Sequence, residues 1–103
     1  MERIEQIQRA LDARASLLEG PHDGALRLFN GFLEGWPDLV VDLYATTLVL
    51  FNYADPPEAL EGALGPVVEF YRARLPWLGT GLVKTRAAAD PAARAGRVLW
   101  GGP

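Results

Sequence analysis

Carboxylates in unusual surroundings are the first residues of this chain that could do chemistry. Asp42 lies inside an apolar run, Val40-Val41-Asp42-Leu43-Tyr44. A charge there faces solvent on a strand edge or is partly buried against an Arg or a backbone group, because an unpaired buried carboxylate is costly. Glu34 stands in Gly31-Phe32-Leu33-Glu34-Gly35-Trp36-Pro37-Asp38, read as a loop whose turn a carboxylate would shape. Paired acid and base catalysis needs two carboxylates in a cleft with different environments. Most other acidic residues here fall on helix faces or at caps. Nucleophile and metal chemistry find little material. There is no cysteine, the sole histidine, His22, sits in a Pro/Asp/Gly turn, and the only serine, Ser16, ends a helix. A Ser/His/Asp triad is therefore not expected, and His22 has no second His or Cys to help it bind zinc. No Gly-x-Gly-x-x-Gly, no phosphate loop ending in Gly-Lys-Ser/Thr and no Gly-x-Ser-x-Gly occurs.

The elements that must position these residues follow from periodicity. Residues 2–18 place Ile4, Ile7, Leu11, Arg14 and Leu18 at steps of three or four, the spacing of an amphipathic helix. Gly20, Pro21 and Gly24 end it. Residues 25–30, 39–44 and 47–53 read as a three-stranded meander, with Ala45-Thr46 as a tight link. The runs Leu39 to Val41 and Leu48 to Phe51 are apolar at consecutive positions, as expected of strands covered on both faces by helices or another domain. Asp55-Pro56-Pro57-Glu58 has the form of a helix start, with Asp55 as N-cap, Pro56 first and Glu58 returning a bond. That helix carries Leu60, Leu64, Val67, Val68, Tyr71 and Leu75, with a kink or restart expected at Gly65-Pro66 and an end at Pro76. Residues 81–86 and 97–100 read as strands around a turn capped by Asp90. The predicted fold is α+β, an antiparallel or mixed sheet of about 4–5 strands with two main helices packed on it.

The 103 residues, 11.2 kDa, are half hydrophobic and 22% charged, which fits one globular domain. The formal charge is −3 and the pI near 5.0, so a dedicated basic nucleic-acid groove is not expected and any RNA contact would be local. No apolar run approaches the ~18 residues of a membrane span, and the charged start lacks a secretory h-region. With no disulfide scaffold either, a soluble cytoplasmic protein without membrane contact is the expectation. Trp36, Trp77 and Trp100 read as exposed and in need of a partner surface.

The stretch from Arg27 to Tyr44, Arg-Leu-Phe-Asn-Gly-Phe-Leu-Glu-Gly-Trp-Pro-Asp-Leu-Val-Val-Asp-Leu-Tyr, resembles a segment of the S-adenosylmethionine (SAM)-dependent 23S ribosomal RNA methyltransferases of the cytosine-C5 type. There it reads approximately Arg-Leu-Val-Asn-Gly-Glu-x-Asp-Gly-Leu-Pro-Gly-Leu-Val-Val-Asp-x-Tyr, in the domain before the catalytic one. Arg9 to Arg14 is similar to the Arg/Ala-rich helix preceding that segment, Arg86 falls where the family has an Arg after a short strand, and Val98 to Pro103 resembles the family's Leu-Trp-Gly-x-x-Pro junction. Phe32 stands for an acidic residue, Glu34 for Asp, Asp38 for Gly and Leu43 for the common Arg.

The resemblance implies that residues 1–103 form a single accessory domain preceding a catalytic methyltransferase domain that this chain lacks. In the cytosine-C5 members a cysteine thiolate adds to the ring, which then attacks the methyl sulfonium. That cysteine and the SAM pocket belong downstream, so SAM is expected in the full-length parent, and this chain alone is expected to bind no cofactor and catalyse nothing. Arg27, Glu34, Asp42, Lys84 and Arg86 become candidate RNA or interdomain contacts, with Arg72 and Arg74 behind them. The implied partners are ribosomal RNA and the downstream domain. A second class of function is a stand-alone interaction module, possible as a homodimer.

Overall fold

The computed structural model describes residues 2–21 and 23–101; His22 and the Gly102-Pro103 end of the junction motif lie outside them. The α+β architecture is as read: five strands form one mixed sheet. Helix α1 (Glu2–Ala13) is followed by a 3-10 turn (Ala15–Leu18), then β1 (Ala25–Asn30), α2 (Gly31–Glu34), β2 (Leu39–Tyr44) and β3 (Thr47–Asn52). Helix α3 (Glu58–Arg74), β4 (Thr80–Thr85), α4 (Pro91–Ala95) and β5 (Arg97–Trp100) complete the chain. Spatial order equals chain order. Neighbours are antiparallel except β3 and β4, which α3 joins as a crossover and which therefore run parallel.

Alternation of side chains divides the sheet into two faces. On the first, Leu39, Val41, Leu43, Leu48, Leu50 and Val83 meet Ile7, Ala10 and Leu11 of α1 and Leu60, Leu64, Val67 and Tyr71 of α3. The second carries only a small cluster, Val40, Val49 and Phe51 with Leu82 against them. Neither α1 nor α3 contributes to it. The apolar runs in β2 and β3 therefore do not mark strands roofed by helices on both sides. Long charged side chains and rings cover the second face instead, an arrangement in which aliphatic stems shield apolar surface and the charged ends stay wet.

Several local expectations change. The first helix stops at Ala13, and a 3-10 turn finishes the segment. The Gly31–Asp38 stretch contains a one-turn helix closed by Gly35 in the left-handed region (φ 101°). A β-carbon on Gly31 would collide with the carbonyls of Trp36 and Leu39, so only glycine fits there. Trp36 is buried in the core, while Trp77 and Trp100 are half-buried. Asp55 does not cap α3; the helix begins at Glu58 without a side-chain cap. Asn52 orders this approach: its Nδ2 donates to the Pro57 carbonyl at 3.1 Å and its Oδ1 accepts from the Ala54 N–H at 2.9 Å. Helix α3 runs on through Pro66. The donor lost there would serve Gly62, and both residues are exposed, so water can serve that carbonyl. Asp90 caps α4 as expected, its Oδ1 accepting from the Ala92 N–H at 3.0 Å.

Candidate functional site

The register of β1 and β2 sets Arg27 directly opposite Asp42 on the second face. Arg27 Nε and Nη2 donate to Asp42 Oδ1 and Oδ2 at 2.7 and 3.1 Å, a two-pronged pair. Tyr44 Oη donates to Asp42 Oδ2 at 3.2 Å. The hydrogen bond to Asp42 holds the Arg27 guanidinium above its ordinary pKa. The Asp42 charge, with burial and the hydrogen bond behind it, raises that of Tyr44. The Asp42 side chain is 8% exposed and that of Arg27 51%, so the carboxylate is enclosed and the guanidinium edge reaches solvent. Asp42 thus has the arginine partner that its place in an apolar strand calls for.

One step along the same face, Phe51 of β3 lies beside Lys84 of β4. Beyond them Tyr53 is tied by its N–H to the Asp38 carbonyl at 2.8 Å, and Arg86 by its N–H to the Asn52 carbonyl at 2.9 Å. Lys84 Nζ stands 5.9 Å and Arg86 Cζ 4.9 Å from the Phe51 ring centre, within reach of the ring's negative face. Among the described residues, no acidic side chain pairs with either cation. Tyr53 stacks on Phe51 (centroids 6.4 Å apart, planes 27° apart) and meets Phe32 of α2 edge-on at 5.2 Å. Phe32 is 59% and Tyr53 40% exposed.

Four of the five sequence candidates, Arg27, Asp42, Lys84 and Arg86, therefore share one face. Glu34 does not join them. It receives Arg14 Nη1 and Nη2 at 3.1 and 2.8 Å and the Asn30 N–H at 2.9 Å, locking α2 to α1 and β1. Burial pushes the Glu34 pKa up, but the bonds from Arg14 and Asn30 and the Arg14 charge outweigh it, so the carboxyl lies below its usual value. Arg72 and Arg74 are on the helical side, over Trp100 and against Asp12 and Phe70. Sequence reasoning missed Arg14 as the partner of Glu34, although a cation inside an apolar helical stripe was the available signal. It also missed Phe32 and Tyr53, whose exposure depends on how α2 sits against the end of β3.

Other depressions are shallow. An apolar groove of about 340 Å³ between α1 and α3 is lined by Ile4, Trp36, Ala63, Val67 and neighbours, with Arg3 the one charged residue in the lining among the described residues. Among the described residues there is no group of three or more His, Cys, Asp or Glu able to hold a metal ion, and no helix is long and apolar enough to cross a membrane.

No family model matches the chain, and no curated protein matches it. Solved structures do. A presumed SAM-dependent methyltransferase from Streptococcus mutans is similar to it with a TM-score of 0.73 and 19% identity, covering 97% of this chain and 24% of its own. A second structure, of SMU.776, a presumed methyltransferase complexed with SAH, gives a TM-score of 0.74 and 18% identity over the same shares. The likeness is one of fold, and this chain spans about a quarter of the length of those chains.

Proposed function

We propose that this chain is the substrate-positioning accessory domain of a SAM-dependent ribosomal RNA methyltransferase of the cytosine-C5 type, working in the cytoplasm beside a catalytic domain on the same polypeptide. SAM, held by that other domain, supplies the methyl group. The residues of this chain hold RNA: Lys84, Arg86 and the outer edge of Arg27 meet backbone phosphates, while Asp42 fixes Arg27 and Glu34 fixes the α2 turn that carries Phe32. Phosphate contacts of this kind orient the substrate and carry little sequence information. The observation that carries the reading is the open second face, where Lys84 and Arg86 stand over Phe51 without acidic partners among the described residues. The fold match of nearly the whole chain to a quarter of two methyltransferase structures supports the parentage.

The test is the source gene followed by an assay. The expected result is a frame that continues past codon 103 into a SAM-binding domain with a candidate catalytic cysteine, and a product that transfers labelled methyl groups to deproteinised large-subunit RNA. A stop codon after Pro103, or a full product inert on that RNA, overturns the reading. The apolar groove between α1 and α3 favours a second reading, an interaction or homodimerisation module. Molar mass in solution tests it, since a monomer at all concentrations removes the homodimer.

A further inference from the structure

We infer that Phe32 and Tyr53, backed by the buried Phe51 ring, form a base-stacking platform for unpaired RNA, with Lys84 and Arg86 holding the phosphates beside it. The inference rests on the RNA reading above and deepens it by naming the form of RNA and the side chains that read it. Among the described residues six large apolar side chains are exposed, and Phe32, Tyr44, Tyr53 and Val98 are four of them. Tyr44 and Val98 lie on the second face by their register with Thr47 and Leu82, and Phe32 reaches that face through its ring contact with Tyr53. Tyr53, solvated and stacked on the Phe51 ring that Lys84 and Arg86 flank, brings rings and cations into one patch, the combination that single-stranded nucleic acid requires: each base offers a π-face and each linkage a negative charge. A duplex offers the charge but not the free π-face, since its bases are already stacked and proteins meet it by shape, 2′-hydroxyls and phosphates.

Charge decides between RNA and a protein partner. The centres of protein interfaces are depleted in lysine, although arginine is enriched there, whereas here Lys84 stands over the central ring itself. The chain as a whole is acidic at −3, so an anionic ligand must be drawn locally. The carboxylates that face the patch do not cancel its cations: Asp42 is consumed by Arg27 and Tyr44, and Asp38, which register places beside Tyr53, pairs with neither Lys84 nor Arg86 among the described residues.

The test uses the 103-residue chain and a fluorescein-labelled RNA of roughly ten nucleotides, a length within the range that small single-strand-binding folds cover. Anisotropy is read for the single strand and for the same sequence as a duplex, at about 50 and about 200 mM salt. The expected result is tighter binding of the single strand. Tyr53→Ala and Phe32→Ala should each weaken it roughly five- to hundredfold, the loss of one stacked base, while Tyr53→Phe keeps wild-type affinity because the ring remains. Lys84→Gln with Arg86→Gln should flatten the salt dependence by about one to two counterions. Equal affinity for duplex and single strand, or wild-type binding by a Tyr53→Ala chain with an unchanged circular dichroism spectrum, overturns the platform. So does a concentration-dependent dimer that Tyr53→Ala dissolves, which would make the face a protein interface. Methyl transfer by the complete gene product is read separately, so a failed platform with active methylation refutes this inference alone.

Discussion

The two sides of the sheet solve the same problem, covering apolar strands, by opposite means. On the first side α1 and α3 bring Ile7, Leu11, Leu60, Leu64, Val67 and Tyr71 down onto β2, β3 and β4, and every one of those side chains is buried. On the second side Phe51 is 7% exposed although no long helix roofs it; Lys84, Arg86 and Tyr53 cover it. Apolar packing between elements is close to crystalline and does not tolerate rearrangement. A cover of long polar side chains can be moved aside or shared with a ligand. The same contrast separates the two arginine–carboxylate pairs. Arg14 and Glu34 are 20% and 28% exposed and join three elements, whereas Arg27 is half exposed and only bridges two strands. Stability is therefore concentrated on one side, and freedom to bind on the other.

Glycine substitutions break this comparison most severely. Gly31→Ala forces a β-carbon into the carbonyls of Trp36 and Leu39, backbone atoms that cannot give way as a side-chain end can. A loss of about 3 kcal/mol or more is expected, the upper range of overpacking, read as a lowered urea midpoint. Gly62→Ala, in α3 with nothing within 4 Å of the new carbon, should instead gain about 0.5–1 kcal/mol from helix propensity. Equal effects of the two would show that the tight packing around α2 does not hold in solution.

The two ion pairs come next. Glu34→Ala removes two charge-assisted bonds from Arg14 and leaves the Asn30 N–H without its acceptor, so about 2–3 kcal/mol of stability should be lost. Arg27→Ala removes a pair screened by solvent on one side, with Tyr44 still donating to Asp42, and about 1 kcal/mol is expected. Thermal or urea unfolding of both variants orders them, and a larger loss for Arg27→Ala would reverse the assignment of structural weight. Acid sharpens the difference. Because the folded pKa of Glu34 is lowered, its contribution is fully present above the usual carboxylate value and lost as pH falls through the folded value. Wild type should therefore lose stability across that window by more than Glu34→Gln does, and parallel pH profiles would refute it.

How much of this was legible in the sequence follows the range of the forces involved. Local signals worked: the β-branched and aromatic composition of the strands, the Asp90 cap and the stripe of α3 are set within a few residues. Asp42 was readable as facing solvent on an edge or partly buried against an Arg or a backbone group, and the structure selects the arginine. What failed was long-range. Apolar residues at consecutive positions in β2 and β3 do not say whether a helix or a set of long side chains covers them. Asp55 had the right local pattern for a cap, yet Asn52, the last residue of β3 and fully buried, holds the entry to α3. Trp36 looked exposed because it stood among Gly, Glu and Pro, and the turn of α2 swings it into the core. The candidate face was half visible: its cations were found by resemblance, and the rings beside them were not.

The smallest effect expected lies in the turn that serves both sides. Ala45 opens the two-residue link between β2 and β3 at φ 54°, the left-handed region where a β-carbon crowds the following carbonyl. Tight hairpins with a left-handed first turn residue favour glycine there. Ala45→Gly removes a strain of about 1–2 kcal/mol, and the freer unfolded chain takes back about 0.4–1 kcal/mol. A net gain of about 0.5 kcal/mol should appear as a slightly higher urea midpoint with unchanged slope. Ala45→Val makes the sign decisive, because branching at Cβ adds to the crowding and no entropy argument rescues it; it should destabilise. Since β2 and β3 contribute to both faces while this turn lies at the end of β3 away from Phe51, Ala45→Gly should leave RNA affinity unaltered as it stabilises the frame. A change in RNA affinity with that substitution would mean that the second face depends on the strain at Ala45.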